Sequence, residues 1–95
     1  MERSVRQRYK GGAIMKIKVV IPTLIDIVTD VTVEPTPVGR CYKSDEIQFH
    51  LFGQSHVLTF TIDERYDTKT LFYSIDHDYD EQTALREEEF SYQPL

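Results

Sequence analysis

The chain has 95 residues, a formal net charge of −5 and an aromatic fraction of 12%. That length suits one domain with one modest core, and this aromatic content argues against a disordered chain. The single cysteine, Cys41, excludes an internal disulfide framework and fits a reducing compartment.

No apolar run approaches the ~20 residues that cross a bilayer; Val19-Val20-Ile21 is typical of the longest. Nor does an apolar h-region follow the basic N-terminus, so a secretory signal is not expected, and a soluble, cytoplasmic protein is. Charge is uneven along the chain. Residues 1–14 carry four basic side chains (Arg3, Arg6, Arg8, Lys10) and one acidic, whereas residues 15–95 carry seven basic and fifteen acidic. Lys10-Gly11-Gly12 can be encoded as a bacterial ribosome-binding sequence. Ala13 and Ile14 then form a spacer before Met15. The expectation is a flexible leader over 1–14, a natural start at Met15 and a compact gene of bacterial or phage type. The other reading is a genuine basic arm.

From Met15 the apolar residues recur with period two. Ile17, Val19 and Ile21 fall on one face of a first strand, which Pro22 interrupts. Leu24 to Glu34 alternates again, rich in β-branched residues, and Pro35-Thr36-Pro37 should end it. Val38 to Asp45 reads as a loop. Glu46 to Phe52 and His56 to Ile62, flanking Gly53-Gln54-Ser55, read as a hairpin. Asp63 to Thr68 reads as a charged turn and Lys69 to Asp76 as the last strand. Short connections force neighbouring strands to run antiparallel. The predicted fold is mostly β: a five-stranded antiparallel meander, or a curled barrel or sandwich, over 15–95. Asp80 to Phe90 allows one short C-terminal helix capped by Asp80, although Glu87, Glu88 and Glu89 would sit at its unfavourable end.

Residues 76–95 hold seven carboxylates against Arg86. If the segment is extended, Asp76, Asp78 and Asp80 share a face and repel one another unless a cation or a basic partner neutralises them. Asp76, Asp78, Asp80 and Glu87 have the spacing of a calcium loop, but Glu81 stands where such loops need glycine. Cys41, His50, His56 and His77 lack the paired spacing of a zinc site. Cys41 with a histidine could form a nucleophile pair, but no local signature surrounds it. The glycines form no phosphate-binding loop. Asp63 and Glu64 beside Arg65 read as surface ion pairs. Phe49, Phe52, Phe60, Phe72, Tyr73 and Tyr42 could stack on bases, but the cations are too scattered to form a nucleic-acid groove.

The expected function is therefore non-enzymatic: a small regulatory module, without cofactor or membrane association, that docks a protein with a basic surface. Asp76, Asp78, Asp80, Glu81, Glu87, Glu88 and Glu89 are the candidate charged contacts, with Phe72 and Tyr79 as apolar anchors. Two alternatives stand beside it. One is an acidic mimic of nucleic acid that blocks a DNA- or RNA-binding protein; the other is a calcium module or small metal-dependent enzyme. Open sheet edges also allow a homo-oligomer.

Overall fold

A computed structural model describes residues 13–95. The expected leader therefore lies, but for Ala13 and Ile14, outside the described residues. Among the described residues eight strands are present: β1 (Ala13–Ile21), β2 (Ile25–Thr36), β3 (Gly39–Ser44), β4 (Ile47–Leu51), β5 (Gln54–Arg65), β6 (Thr68–Ile75), β7 (Thr83–Arg86) and β8 (Ser91–Pro94). All pair antiparallel, in the order β7-β6-β5-β3-β2-β1-β8, with β4 also on β5. The chain runs as a meander from β1 to β7, then returns to place β8 on the free side of β1. No helix among the described residues is long and apolar enough to cross a membrane.

The count of five strands is corrected to eight. The segment 38–45, expected as a loop, contains β3, which hydrogen-bonds to β2 on one side and β5 on the other. Only one strongly apolar side chain, Tyr42, marks its inner face, so its alternation is faint. Backbone ladders on both edges hold it, with charge pairs across them: Arg40 with Glu64 at 2.9 Å and Lys43 with Glu34 at 3.0 Å. Gly39 is required here, because a Cβ would overlap the backbone carbonyl of Glu64. β2 continues through Pro35, which pairs with Arg40 of β3.

The expected helix at 80–90 is also absent. A three-residue 3₁₀ turn, Tyr79–Glu81, is followed by β7. The ladder with β6 gives that backbone its partners, and Leu85 lies opposite fully buried Leu71. A helix would instead have stacked Glu87, Glu88 and Glu89 against its negative end.

β5 is the hub. β3 and β4 follow one another along one of its edges, broken at Asp45-Glu46, and β6 occupies the other. The core lies on one face of the sheet: Ile17, Val19, Val31, Tyr42, Leu58, Phe60, Ile62 and Leu71 are all buried there. A single-faced core needs a cover, and the sheet supplies it by curling. Arg86 and Ser91 are five residue steps apart, at most ~18 Å of chain. The two outer strands must therefore approach each other, which makes the sheet a half-barrel. Phe90, buried within that link, stacks on Tyr92 at 6.0 Å.

Tyr92 closes the curl. It stands on β8 at one margin of the sheet, yet its ring lies 5.6 Å from Tyr42 and its hydroxyl donates to Glu64 on the hub strand. Burial, then the hydrogen bond to Glu64, pushes the Tyr92 phenol far above its ordinary value, so it stays protonated and can donate. Burial pushes the Glu64 carboxyl upward, but hydrogen bonds from Tyr92 and Arg40 outweigh it and hold that carboxyl below its ordinary 4.5.

Tyr92→Phe should lower stability by roughly 1.5–3 kcal/mol in denaturant unfolding, the range for a hydrogen bond to a charged group. A depressed carboxyl stabilises fully above its unfolded pKa, and that contribution disappears as pH falls through the folded value. The stability gap between the wild type and Glu64→Gln should therefore be constant near neutrality and shrink below pH 4.5.

Candidate functional site

The acidic residues that follow β6 do not form an extended row. Asp76 and His77 both adopt left-handed backbone, with φ of 55° and 60°. The Asp78 N–H donates to the Ile75 carbonyl at 3.1 Å, closing a turn of the I′ kind. This reversal destroys the alternation that would have aligned Asp76, Asp78 and Asp80.

Asp76 is bound tightly into the sheet end. Its N–H donates to the Val57 carbonyl at 2.6 Å, and its Oδ1 accepts the Val57 N–H at 3.0 Å. A side chain thus continues the β5–β6 ladder one step past the strand. Its Oδ2 lies 2.7 Å from His56 Nδ1. An ionised carboxylate only accepts, so Nδ1 carries the proton. These bonds, His56 first and then the Val57 N–H, hold the Asp76 carboxyl below its ordinary 3.8. His77 is clamped in turn, with Nε2 2.8 Å from Glu46 and Nδ1 3.0 Å from the Tyr79 hydroxyl. Glu46, which sequence reading left out of the site, thereby joins it from the β3–β4 break. An open groove of about 680 Å³ lies alongside, lined by Tyr73, Ile75, Asp76, Asp78, Glu81 and Thr83.

Glu87, Glu88 and Glu89 lie elsewhere. Thr83 pairs with Tyr73 and Arg86 with Thr70, so β7 separates the two acidic groups by its whole length, ~10 Å of strand rise. Glu89 serves the turn into β8: its carboxylate accepts the Arg86 N–H at 2.8 Å, and its own N–H donates to the Arg86 carbonyl at 2.8 Å. Glu88 faces Arg86 at 3.7 Å. The calcium set of Asp76, Asp78, Asp80 and Glu87 is therefore not assembled, because Glu87 is at the wrong end of β7. Among the described residues no group of three or more His, Cys, Asp or Glu is placed to hold a metal ion.

The two expected anchors separate in the same way. Tyr79 is 62% exposed within the acidic turn. Phe72 is half-buried on the convex face, between Thr61 and Ala84, four residues from Asp76 and on the opposite side of β6 from Tyr73. It lines a separate shallow groove of about 420 Å³ with Val38 and Cys41. Burial raises the Cys41 thiol above its ordinary value, which works against an activated thiolate.

Charge pairing decides where the unbalanced acidity sits. Lys16, Lys18, Arg40, Lys43, Arg65 and Arg86 each lie within 4.0 Å of a carboxylate, on Asp30, Asp26, Glu64, Glu34, Asp63 and Glu88 respectively. The remaining described cation, Lys69, stands 6.0 Å from the Tyr92 ring. At the end formed by Glu46, Asp76, Asp78, Asp80 and Glu81, the ion-pair partners among the described residues are His56 and His77 alone. Five carboxylates face two imidazoles here, so among the described residues this end carries excess negative charge whichever way the histidines are protonated.

Compared with known proteins, the chain matches no family model, no curated protein and no solved structure.

Asp76→Asn keeps a residue type that accepts left-handed backbone but removes the charge from both hydrogen bonds. The variant should melt below the wild type at pH 7. A depressed carboxyl contributes above its unfolded pKa, so the difference should vanish as the pH is taken below 3.8, measured by thermal unfolding across that range.

Proposed function

We propose that this protein is a non-enzymatic binding module that docks a protein partner with a basic surface through the acidic end of its sheet. Asp76, Asp78, Asp80 and Glu81 form the contact, with Glu46 beside them and Tyr79 as an exposed aromatic at its centre. The observation that carries this reading is the pairing pattern among the described residues: six of the seven Lys and Arg side chains lie beside carboxylates elsewhere on the sheet, while this end has only histidines to offset its carboxylates.

Such a surface acts mainly on the encounter rate. An unscreened cluster of like charge attracts a complementary patch over about a Debye length, ~10 Å at 0.1 M salt, and orients it before contact. Glu87 and its neighbours form a second, smaller acidic spot near the β7–β8 link, partly engaged by Arg86 and the turn. The nucleic-acid-mimic reading asks for evenly spaced carboxylates, and the turn at Asp76-His77 gives it no support. Self-pairing has little strand to use, because among the described residues the strands with one open side, β7, β8 and β4, are four, four and five residues long.

The reading predicts a partner, recovered on the immobilised wild-type protein from cells that express it, whose association is set by charge. Neutralising Asp78→Asn, Asp80→Asn and Glu81→Gln together should slow association about tenfold, and rising ionic strength should slow the wild type alike. Stopped-flow or surface-binding kinetics read both. An association rate indifferent to the triple variant and to salt contradicts the proposal.

A further inference from the structure

The β4–β5 hairpin projects beyond the rest of the sheet. β6 pairs with β5 only from Leu58 onward, with Asp76 bonding Val57 one step further, and β3 only from Thr61 onward, so the backbone of Gln54 to His56 is paired by β4 alone. The ribbon ends at the pair Leu51 and Gln54, and the turn residues are Phe52 and Gly53. Both adopt positive φ, 52° and 80°. This is the I′ arrangement, whose first position favours Asn, Asp or Gly.

Phe52 is out of place there twice over. A phenylalanine in left-handed backbone is strained, and its ring is 96% exposed, so it covers none of this molecule's own core. Asp76, in the same backbone region, is held by the Val57 N–H and by His56, whereas a phenyl side chain carries no polar atom to make such bonds. The ribbon beneath it is braced, with the rings of Phe49 and His56 5.9 Å apart. Its base is the acidic end: Glu46 precedes β4, and His56 on β5 holds Asp76. Four residue steps, ~13 Å, separate that base from the tip.

We propose that Phe52 is the apolar anchor of the docking surface, inserted by the ribbon into an apolar pocket of a partner protein whose rim is basic. This rests on the acidic-docking reading above and names what the partner must offer. The charge at the ribbon's base selects among possible occupants. A nucleic acid or an anionic membrane would bring phosphates against carboxylates, and a second copy would bring the same charge against itself. A basic-rimmed apolar pocket satisfies both the ring and the carboxylates.

The test uses the full chain and a random peptide library displayed on phage, selected on the wild-type protein. Selected peptides should combine apolar or aromatic residues with Lys or Arg. Their affinity should fall at least tenfold on Phe52→Asn, and by a smaller, salt-dependent factor on the Asp78→Asn, Asp80→Asn, Glu81→Gln variant. Phe52→Asn should retain the β spectrum and melt higher than the wild type, since Asn accepts this backbone; a lower midpoint overturns the inference. Absence of enrichment, peptides without basic residues, or equal binding to Phe52→Asn overturn it too. So does Phe52-dependent binding to vesicles of phosphatidylcholine, alone or with phosphatidylserine, or Phe52-dependent self-association in sedimentation. Peptides that respond to the charge variant but not to Phe52→Asn remove the anchor and leave the acidic-docking reading in place; peptides that respond to neither remove both.

Discussion

The fold depends on one closing contact, the Tyr92 hydroxyl on the Glu64 carboxylate. A sheet with all its apolar side chains on one face cannot leave that face in water. Here the meander alone would do so, because β1 and β6 lie on opposite sides of the hub. The four residues of β8 draw the margin of the sheet across the concave side, and Phe90 and Tyr92 fill the space so formed. Arg40 completes the contact from β3, giving Glu64 two donors in a half-buried position. A carboxylate placed there without them would be costly to bury.

Charge pairing decides where net charge is exposed. The cations of β1 and β3 pair with carboxylates across the ladders, and Arg65 pairs with Asp63 two residues away on β5. Isolated surface pairs of this kind contribute little stability each. Their consequence is electrostatic: they neutralise the body of the sheet and leave the far end of β6 negative. Function is then expected where the body is incomplete, at the turns. Thr23, Phe52, Tyr66, Asp76 and His77 all take positive φ without being glycine, and each stands between strands or at a strand's end. Asp76 and His77 gain hydrogen bonds in return. Among the described residues Thr23, Phe52 and Tyr66 gain no side-chain hydrogen bond, and of these Phe52 is the most exposed large hydrophobic, which is why it is proposed as the anchor.

Much of the architecture was legible in the sequence because it rests on alternation. Ile17-Val19-Ile21, Ile47-Phe49-Leu51, Leu58-Phe60-Ile62 and Leu71-Tyr73-Ile75 announced β1, β4, β5 and β6, and their inward faces are the faces observed. β3 was illegible because Arg40, Lys43 and Ser44 look like loop residues until Glu64 and Glu34 are placed opposite them. β7 and β8 are too short for a period to register, and their existence depends on β6 and β1 being available as partners. The acidic residues illustrate the limit of one-dimensional proximity. Glu87 is six positions from Glu81, yet β7 holds them apart, while Glu46 lies thirty-one positions from His77 and touches it. The hairpin tip carries a local signal of its own: Phe-Gly where Asn-Gly or Asp-Gly is the usual choice.

The closing contact is the most direct point of attack. In solution, nuclear Overhauser spectra of the full chain should show cross-peaks between the ring protons of Tyr92 and Tyr42, with the Phe90 ring close to Tyr92. A Tyr92 ring with no contacts outside β8 and β1 would mean that the margin of the sheet stays open. The half-barrel, and the sealed concave face it encloses, would then be wrong.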